Sequence, residues 1–337
     1  MDPVTQATLG SALSQTAADG RRLRGYALAG AFAGLAPDAD ILIRSATDPL
    51  LYLEFHRQFS HSLIFIPVGA VVCALLLHPF LRRRLRLRET ALACLLGYGS
   101  HGLLDACTSY GTQLLWPFSD FRVAWNWISV FDPLFSVPLL VLAVLGGITR
   151  HRRFAAAGLG WVLVYLGLGA VQHERAMAAA QALAAERGQV PTRLVVKPGF
   201  ANLLVWKSLY EADGHIHVDG IRAGVQVGVC EGDRVEVLDP ARDLTWLEPN
   251  SQQAQDLDRF AWYSDGWLAL DPETPFYVVD VRYAALPNRI DALWGLVLDP
   301  QADTQAHAAW RIIPSRRAED LDQLLNLLAG HGCRVAR

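Results

Sequence analysis

Five apolar stretches, at about 25–43, 62–80, 91–109, 129–148 and 154–172, constrain this chain more than any other feature. Each approaches the ~20 residues a helix needs to cross ~30 Å of hydrocarbon. With 52% hydrophobic and only 19% charged residues over 337 positions, the chain is too apolar for an ordinary soluble protein. A sixth segment, Val4–Ala18, is short and rich in Ala, Ser, Thr and Gly, which suits close packing between helices; it reads as a buried or half-spanning helix. After about residue 185 the pattern changes. Charges run throughout, strand-like alternation appears at Thr192–Lys197, Leu203–Tyr210 and Phe276–Tyr283, and Ala318–Ala329 has helical periodicity. The expectation is an α-helical membrane domain over 1–175, with about five spanning helices plus a short N-terminal membrane-embedded helix, followed by a soluble α+β domain over 185–337.

Arginine sets the orientation. Arg21, Arg22 and Arg24 precede the first long stretch, Arg82, Arg83, Arg84, Arg86 and Arg88 follow the second, and Arg150, Arg152 and Arg153 precede the fifth. Loops dense in Arg stay in the cytoplasm, so segments 44–61 and 110–128, which hold only Arg44, Arg57 and Arg122, belong outside, as does the C-terminal domain. The expected location is the bacterial inner membrane, multi-pass, with the bilayer itself as partner. The N-terminus lacks the basic start, apolar core and cleavage site of a signal peptide. A net charge of −3 with no basic tract beyond those loops provides no footprint for nucleic acid. None of the five cysteines shows C-x-x-C spacing; Cys230 and Cys333 are open to pairing, with two free thiols as the other outcome.

Ionisable residues inside membrane segments are costly unless paired, so each one raises a functional hypothesis. Asp38 and Asp40 flank the end of the first long stretch, where Pro37 interrupts the helix and a helix C-terminus repels carboxylates. A metal ion would supply the compensating charge. His56 and His61 precede the second stretch; five positions turn ~500° around a helix, so both imidazoles cannot share one helix face. His101 and Asp105, at i and i+4, do share one and can hold one ion or orient each other. Each pair also has a plainer reading, as loop caps, polar interface residues or a helix-tying hydrogen bond. Their common side of the membrane favours one site. Arg57, Tyr110, Arg122 and Asn126 stand around it as groups for binding substrate, with Arg57 and Asp105 as catalytic residues. Asp132 before Pro133 fits a helix N-cap. The other histidines, His307 among them, lie in soluble or cytoplasmic-side segments.

Taken together the motifs resemble a bacterial family of membrane-bound, metal-dependent hydrolases, the YdjM-like group. The resemblance is carried by Met1 to Gln6, Pro37-Asp38 with Asp40, His56-Arg57 with Phe59-Ser60-His61-Ser62, His101-Gly102-Leu103-Leu104-Asp105 and Thr108 to Thr112, Trp116 to Asp120, and Asp132-Pro133-Leu134. Some members have His where this chain has Gln6, a poor metal ligand. The resemblance implies hydrolase activity with metal. Asp38, Asp40, His56, His61, His101 and Asp105 exceed the three or four protein ligands of one zinc ion, which allows one or two divalent ions: zinc, or manganese or magnesium. Water activated at the ion would attack a phospholipid or lipid-linked phosphate ester, an amide or ester bond being equally compatible with these residue types, with charge on the attacked group stabilised by Arg57 or a second ion. The rival reading is a transporter of metal ions or protons along the same His/Asp cluster, although no inverted repeat is visible; a third makes the membrane part an anchor for a C-terminal binding module.

Overall fold

The computed structural model describes residues 1–18, 20–313 and 317–335. It divides into two compact units: Met1–Ile43, Glu54–Val171 and Phe200–Asn202 form the first, and Arg44–Leu53, Gln172–Gly199 and Leu203–Arg337 the second. The helices are α1 (Pro3–Thr16), α2 (Leu23–Leu35), α3 (Leu51–Phe55), α4 (Ile66–Leu81), α5 (Leu87–Ala106), α6 (Pro133–Thr149), α7 (Arg152–Glu186), α8 (Pro240–Asp243), α9 (Gln252–Tyr263) and α10 (Arg317–Ala329).

In the first unit, α1 lies between α2, α5 and α6. Asp2 caps it by accepting from Thr5 N, and Pro3 occupies a first-turn position where its missing N–H costs nothing. Close packing needs glycine: a Cβ on Gly10 would meet the Gly30 carbonyl oxygen at 2.4 Å, so α1 and α2 approach backbone to backbone. Asp132 caps α6 through Leu134 N and Phe135 N, and also accepts from the Tyr165 hydroxyl.

Among the described residues, two helices are long and apolar enough to cross a membrane, Leu63–Leu81 and Arg152–Glu186, which corrects the expectation of about five. The reason is physical. α2 ends after 13 residues, or ~20 Å, where Pro37 enters a 3-10 turn, Ala36–Leu42. α6 has 17 residues. α5 has 20 but carries Arg88, Glu89 and Asp105, and the residues it buries, from Thr90 and Ala93 to His101 and Asp105, pack against protein. An apolar run can serve a protein core as readily as lipid.

The second unit is built on two antiparallel sheets. Strands β1 (Arg193–Pro198), β2 (Val205–Ala212), β3 (His215–Ala223), β4 (Val227–Cys230) and β10 (Arg334–Val335) lie side by side, with β5 (Arg234–Glu236) also on β3; β6 (Leu268–Leu270), β7 (Tyr277–Asp280), β8 (Trp294–Val297) and β9 (Ala309–Ile312) form the other. Leu209, Ile216 and Val218 of the first sheet share one core with Ala269, Tyr277 and Val279 of the second. Cys230 and Cys333 form a disulfide, which takes the paired outcome of the two left open.

Two lysines are buried in this unit, Lys197 and Lys207, directly opposite each other on β1 and β2. Lys197 Nζ sits 3.5 Å from the centre of the Tyr283 ring, and Lys207 Nζ donates to the Arg289 carbonyl at 2.6 Å. Burial pushes the Lys207 pKa down to about 7, against the pull of Asp233, Asp280 and Asp291. An unfolded Lys titrates near ~10.4, so between about pH 7 and that value the unfolded chain binds more protons and stability rises with pH. Below pH ~7 Lys207 is charged in both states and the cost of burying it is fully present. Lys207→Met is therefore expected to melt higher than the parent at about pH 6, by the equivalent of ~2 kcal/mol after allowing for the orphaned Arg289 carbonyl, with the gap closing near pH 10. Melting of both proteins across that range checks it, and a gap independent of pH would refute it.

Candidate metal centre

Three segments of the first unit bring the site together. The turn after α2 carries Asp38 and Asp40, the turn Phe59–His61 ends on His61, and the last turns of α5 carry His101 and Asp105. A Cβ on Gly102 would meet the His61 carbonyl oxygen at 2.3 Å, so glycine beside His101 is what lets the His61 turn lie on α5.

Asp38, His61, His101 and Asp105 offer ligand atoms that all lie within 4.8 Å of one another, a group able to hold a metal ion. The two Nε2 atoms are 2.9 Å apart. From Asp38 Oδ1, His61 Nε2 is 3.5 Å away and His101 Nε2 3.3 Å; from Asp105 Oδ2 the same atoms lie at 3.3 and 3.7 Å. Bonds of ~2.0–2.2 Å to a tetrahedral ion place neighbouring ligand atoms ~3.3–3.6 Å apart, so the donor set fits one ion.

The surroundings aim these atoms. His101 Nδ1 donates to the Gly34 carbonyl at 2.6 Å, in the last turn of α2 where helix carbonyls lose their internal partners. His61 Nδ1 lies 3.2 Å from Asp40 Oδ2. With each Nδ1 engaged in this way, both Nε2 atoms are turned to the same spot, 2.9 Å apart, a separation that a shared proton or a metal ion between them accommodates. Asp105 Oδ2 is buried and makes no hydrogen bond; Arg57 Nε, 3.1 Å away, balances its charge, and its lone pairs stay open to a ligand role.

Of the six ligands expected, the structure places two differently. Asp40 is saturated by His56 Nδ1 at 2.8 Å, the Arg57 N–H at 3.1 Å and the Ser60 hydroxyl at 2.7 Å, so it holds His61 from behind rather than joining the four. His56 is turned to Asp40, its ring 5.9 Å from that of His61. Helix periodicity could not reveal this, because residues 56–61 are a turn with Arg57 in the left-handed region (φ 65°). Arg57 is buried; its Nε lies 3.1 Å from Asp105 Oδ2 and its NH1 donates to the Thr108 hydroxyl at 3.0 Å. Tyr110 stacks beneath Arg57 and Arg122, at 5.0 and 5.6 Å, and Arg122 donates to the Tyr110 carbonyl. Asn126 turns its amide to the Ala124 carbonyl of its own loop.

Gln6 and Ser60 are the positioning residues that sequence reasoning did not assign. Gln6 Nε2 donates to Asp105 Oδ1 at 3.0 Å and to the His101 carbonyl at 3.3 Å, so the residue unfit as a ligand orients one. The backbone nitrogen of Met1 also contacts Asp105 Oδ1. A second group, Asp48, Asp256 and His307, lies in the other unit. There Arg259 already supplies the cation, pairing with both oxygens of Asp48 at 3.1 and 2.9 Å and with Asp256 at 3.1 Å, while His307 faces Asp256; it is an ion-pair network.

Fold and site together define a helical membrane protein with a His/Asp group, buried except for the half-buried Asp38, that could hold a metal ion, joined to a sheet-rich domain. A family model described as YdjM inner membrane protein matches residues 1–176, just over half of the chain, and the chain belongs to that family of inner membrane proteins. It is also similar to the uncharacterized protein YfhP of Bacillus subtilis (strain 168), 32% identical over 110 residues, which are 32% of this chain and 33% of that protein. The match thus spans about a third of the curated relative's length. No solved structure matches.

Proposed function

We propose that this chain is a membrane-bound, metal-dependent hydrolase acting on a phospholipid or lipid-linked phosphoester, with Asp38, His61, His101 and Asp105 holding one divalent ion. The observation that carries the reading is the pair of imidazole Nε2 atoms 2.9 Å apart, converging with two carboxylates. Two nitrogen and two oxygen donors suit zinc first and manganese second. When bound, such an ion polarises a phosphoryl or carbonyl oxygen and activates water. Asp40 and the Gly34 carbonyl hold the two imidazoles in the ligating tautomer. Arg57 balances Asp105 within the cluster, leaving Arg122, stacked on Tyr110, as the nearer reading for a group that meets an anionic substrate. Transport is less well supported: beyond the cluster, the buried polar residues of α1, Thr5, Thr8, Ser14 and Gln15, are all neutral.

Metal analysis of the purified protein, followed by hydrolysis assays on bacterial lipid extracts with and without added zinc, tests the reading. Metal at one equivalent with metal-dependent product release supports it; protein that binds no divalent ion ends it. Asp40→Asn is expected to weaken metal binding by about 10–100-fold, the usual effect of losing a group behind a ligating His, and less than the loss of a ligand itself. Competition with a chelator measures this. A loss as large as that of His101→Ala would return Asp40 to the ligands.

The C-terminal domain is proposed to be extracytoplasmic. Helix α4 runs into Arg82–Arg84 and α7 begins at Arg152, so the positive-inside rule puts the end of one and the start of the other in the cytoplasm, and α7 leads outward. The Cys230–Cys333 disulfide supports the same side, since the periplasm is oxidising. Alkaline phosphatase fused after residue 337 is expected to be active and a cytoplasmic reporter at that point silent; the reverse pattern inverts the topology.

A further inference from the structure

The first unit contains a cavity of 650 Å³ running along α1 between α2 and α6. No ligand of the metal cluster lines it. Its walls are apolar for most of their length: Val4 and Ala7 from α1, Leu28 and Ala31 from α2, Leu140 and Val144 from α6. Several of these side chains are open to the surroundings, Val4 by 58%, Leu28 by 56% and Val144 by 49%. In a membrane protein such a groove faces hydrocarbon, and an apolar face there needs no protein partner.

One end is different. Gln15, near the end of α1, lines the groove with its Oε1 fully buried and without a hydrogen-bond partner, while its Nε2 is spent on Ser11 and the Ala143 carbonyl. Arg24 and Arg84 stand at the same end and are exposed. Arg24 is anchored there by the carbonyls of Gly147 and Ile148, at 2.9 and 3.4 Å, whereas the neighbouring Arg22 is neutralised by Glu89. Arg84 has no acidic partner among the described residues. The groove is thus amphipathic along its axis: two guanidinium groups at one end, and mostly apolar walls, interrupted by Thr8 and Ser11, over the rest. From Pro3 to Gln15 helix α1 rises ~18 Å, close to the depth of one leaflet of a ~30 Å hydrocarbon core.

We propose that this groove binds one anionic phospholipid, an acyl chain lying along α1 and the phosphate held by Arg24 and Arg84. Arg recognises phosphate through paired N–H donors, and basic pockets at the ends of membrane helices select anionic headgroups. The assignment does not depend on the hydrolase reading, since its residues and its readout are separate from the metal.

Native mass spectrometry of the full chain, released from detergent with added dioleoyl phosphatidylglycerol or dioleoyl phosphatidylcholine, tests it. One phosphatidylglycerol is expected to stay bound under collisional activation where phosphatidylcholine is lost. Replacing both Arg24 and Arg84 with Gln is expected to weaken phosphatidylglycerol binding by about 10–30-fold, to the level of the neutral lipid. Ala31→Trp, which fills the groove with both arginines present, is expected to remove both lipids. Because Arg24 and Arg84 are exposed, the double Gln variant decides the matter should Ala31→Trp not fold. A graded series of adducts unchanged by the variants would mean unselective boundary lipid and overturn the proposal. Dimers in place of lipid, abolished by Ala31→Trp, would assign the groove to a second copy of the chain and overturn it equally.

Discussion

Replacing His101 with alanine is expected to lower the affinity for zinc by more than about 100-fold, beyond the 10–100-fold typical of groups behind a ligand, and to leave the purified protein without stoichiometric metal. The expectation follows from the geometry. His101 Nε2 is one of four donors within 4.8 Å, and its removal leaves His61 facing two carboxylates with an open position. Alanine also leaves the Gly34 carbonyl without its donor, a cost of about 1 kcal/mol that the metal-free protein shows as a small drop in melting temperature. The two effects separate cleanly. Binding to the folded state stabilises it in proportion to the logarithm of metal over dissociation constant, ~4 kcal/mol at a thousandfold excess. A chelator should therefore lower the melting temperature of the parent and not that of the variant. Asp105→Asn gives an independent check: the isosteric amide keeps an oxygen for Gln6 Nε2 but loses the anionic atom beside the two imidazoles, and metal should be lost with it. Variants that melt lower while keeping full metal would reduce His101 and Asp105 to a hydrogen-bonded tie between helices.

The second large effect concerns the disulfide. Cys230 and Cys333 are 103 residues apart, and closing a loop of that size removes ~4.7 kcal/mol of unfolded-state entropy in the chain model, with ~2–4 kcal/mol typical of measured bonds. At ~2–4 °C per kcal/mol, the variant with Ser at both positions should unfold its C-terminal unit about 10 °C below the parent. Reductant should bring the parent down to the same point and leave the variant unmoved. Thiol titration of unfolded, unreduced protein adds a count: Cys73, Cys94 and Cys107 are free, so three of the five cysteines should react. Five reactive thiols would refute the bond and with it one support for export.

How much of this was legible beforehand depended on how local the signal was. The i, i+4 spacing of His101 and Asp105 puts both on one helix face whatever the rest of the chain does, and the structure turns that face to Asp38 and His61. The strand-like runs Thr192–Lys197 and Leu203–Tyr210 appear as β1 and β2 because period-2 alternation is a property of the strand itself. The number of membrane-capable helices was not legible. Apolarity is satisfied by lipid or by other helices, and only packing shows that α5 turns its small residues to α2, with Gly97 against the Gly30 carbonyl. The division of labour between Asp38 and Asp40 was equally hidden: two residues apart in one 3-10 turn, they point to opposite sides of His61, one at Nε2 and the other at Nδ1.

By itself, then, the sequence determined that the first half is helical and membrane-associated, that the second half is rich in strands, and that a set of His and Asp side chains had to find partners, since buried charges cannot be left alone. Tertiary structure alone decided which four of them converge, that Gln6 and Asp40 orient ligands instead of serving as such, and that His307 belongs to an Arg259 ion-pair network. The physical reason is distance. Periodicity and turn chemistry act over a few residues, whereas a ligand set is defined by ångström-scale contacts between segments as far apart as Asp38 and Asp105, which exist only once the helices have packed.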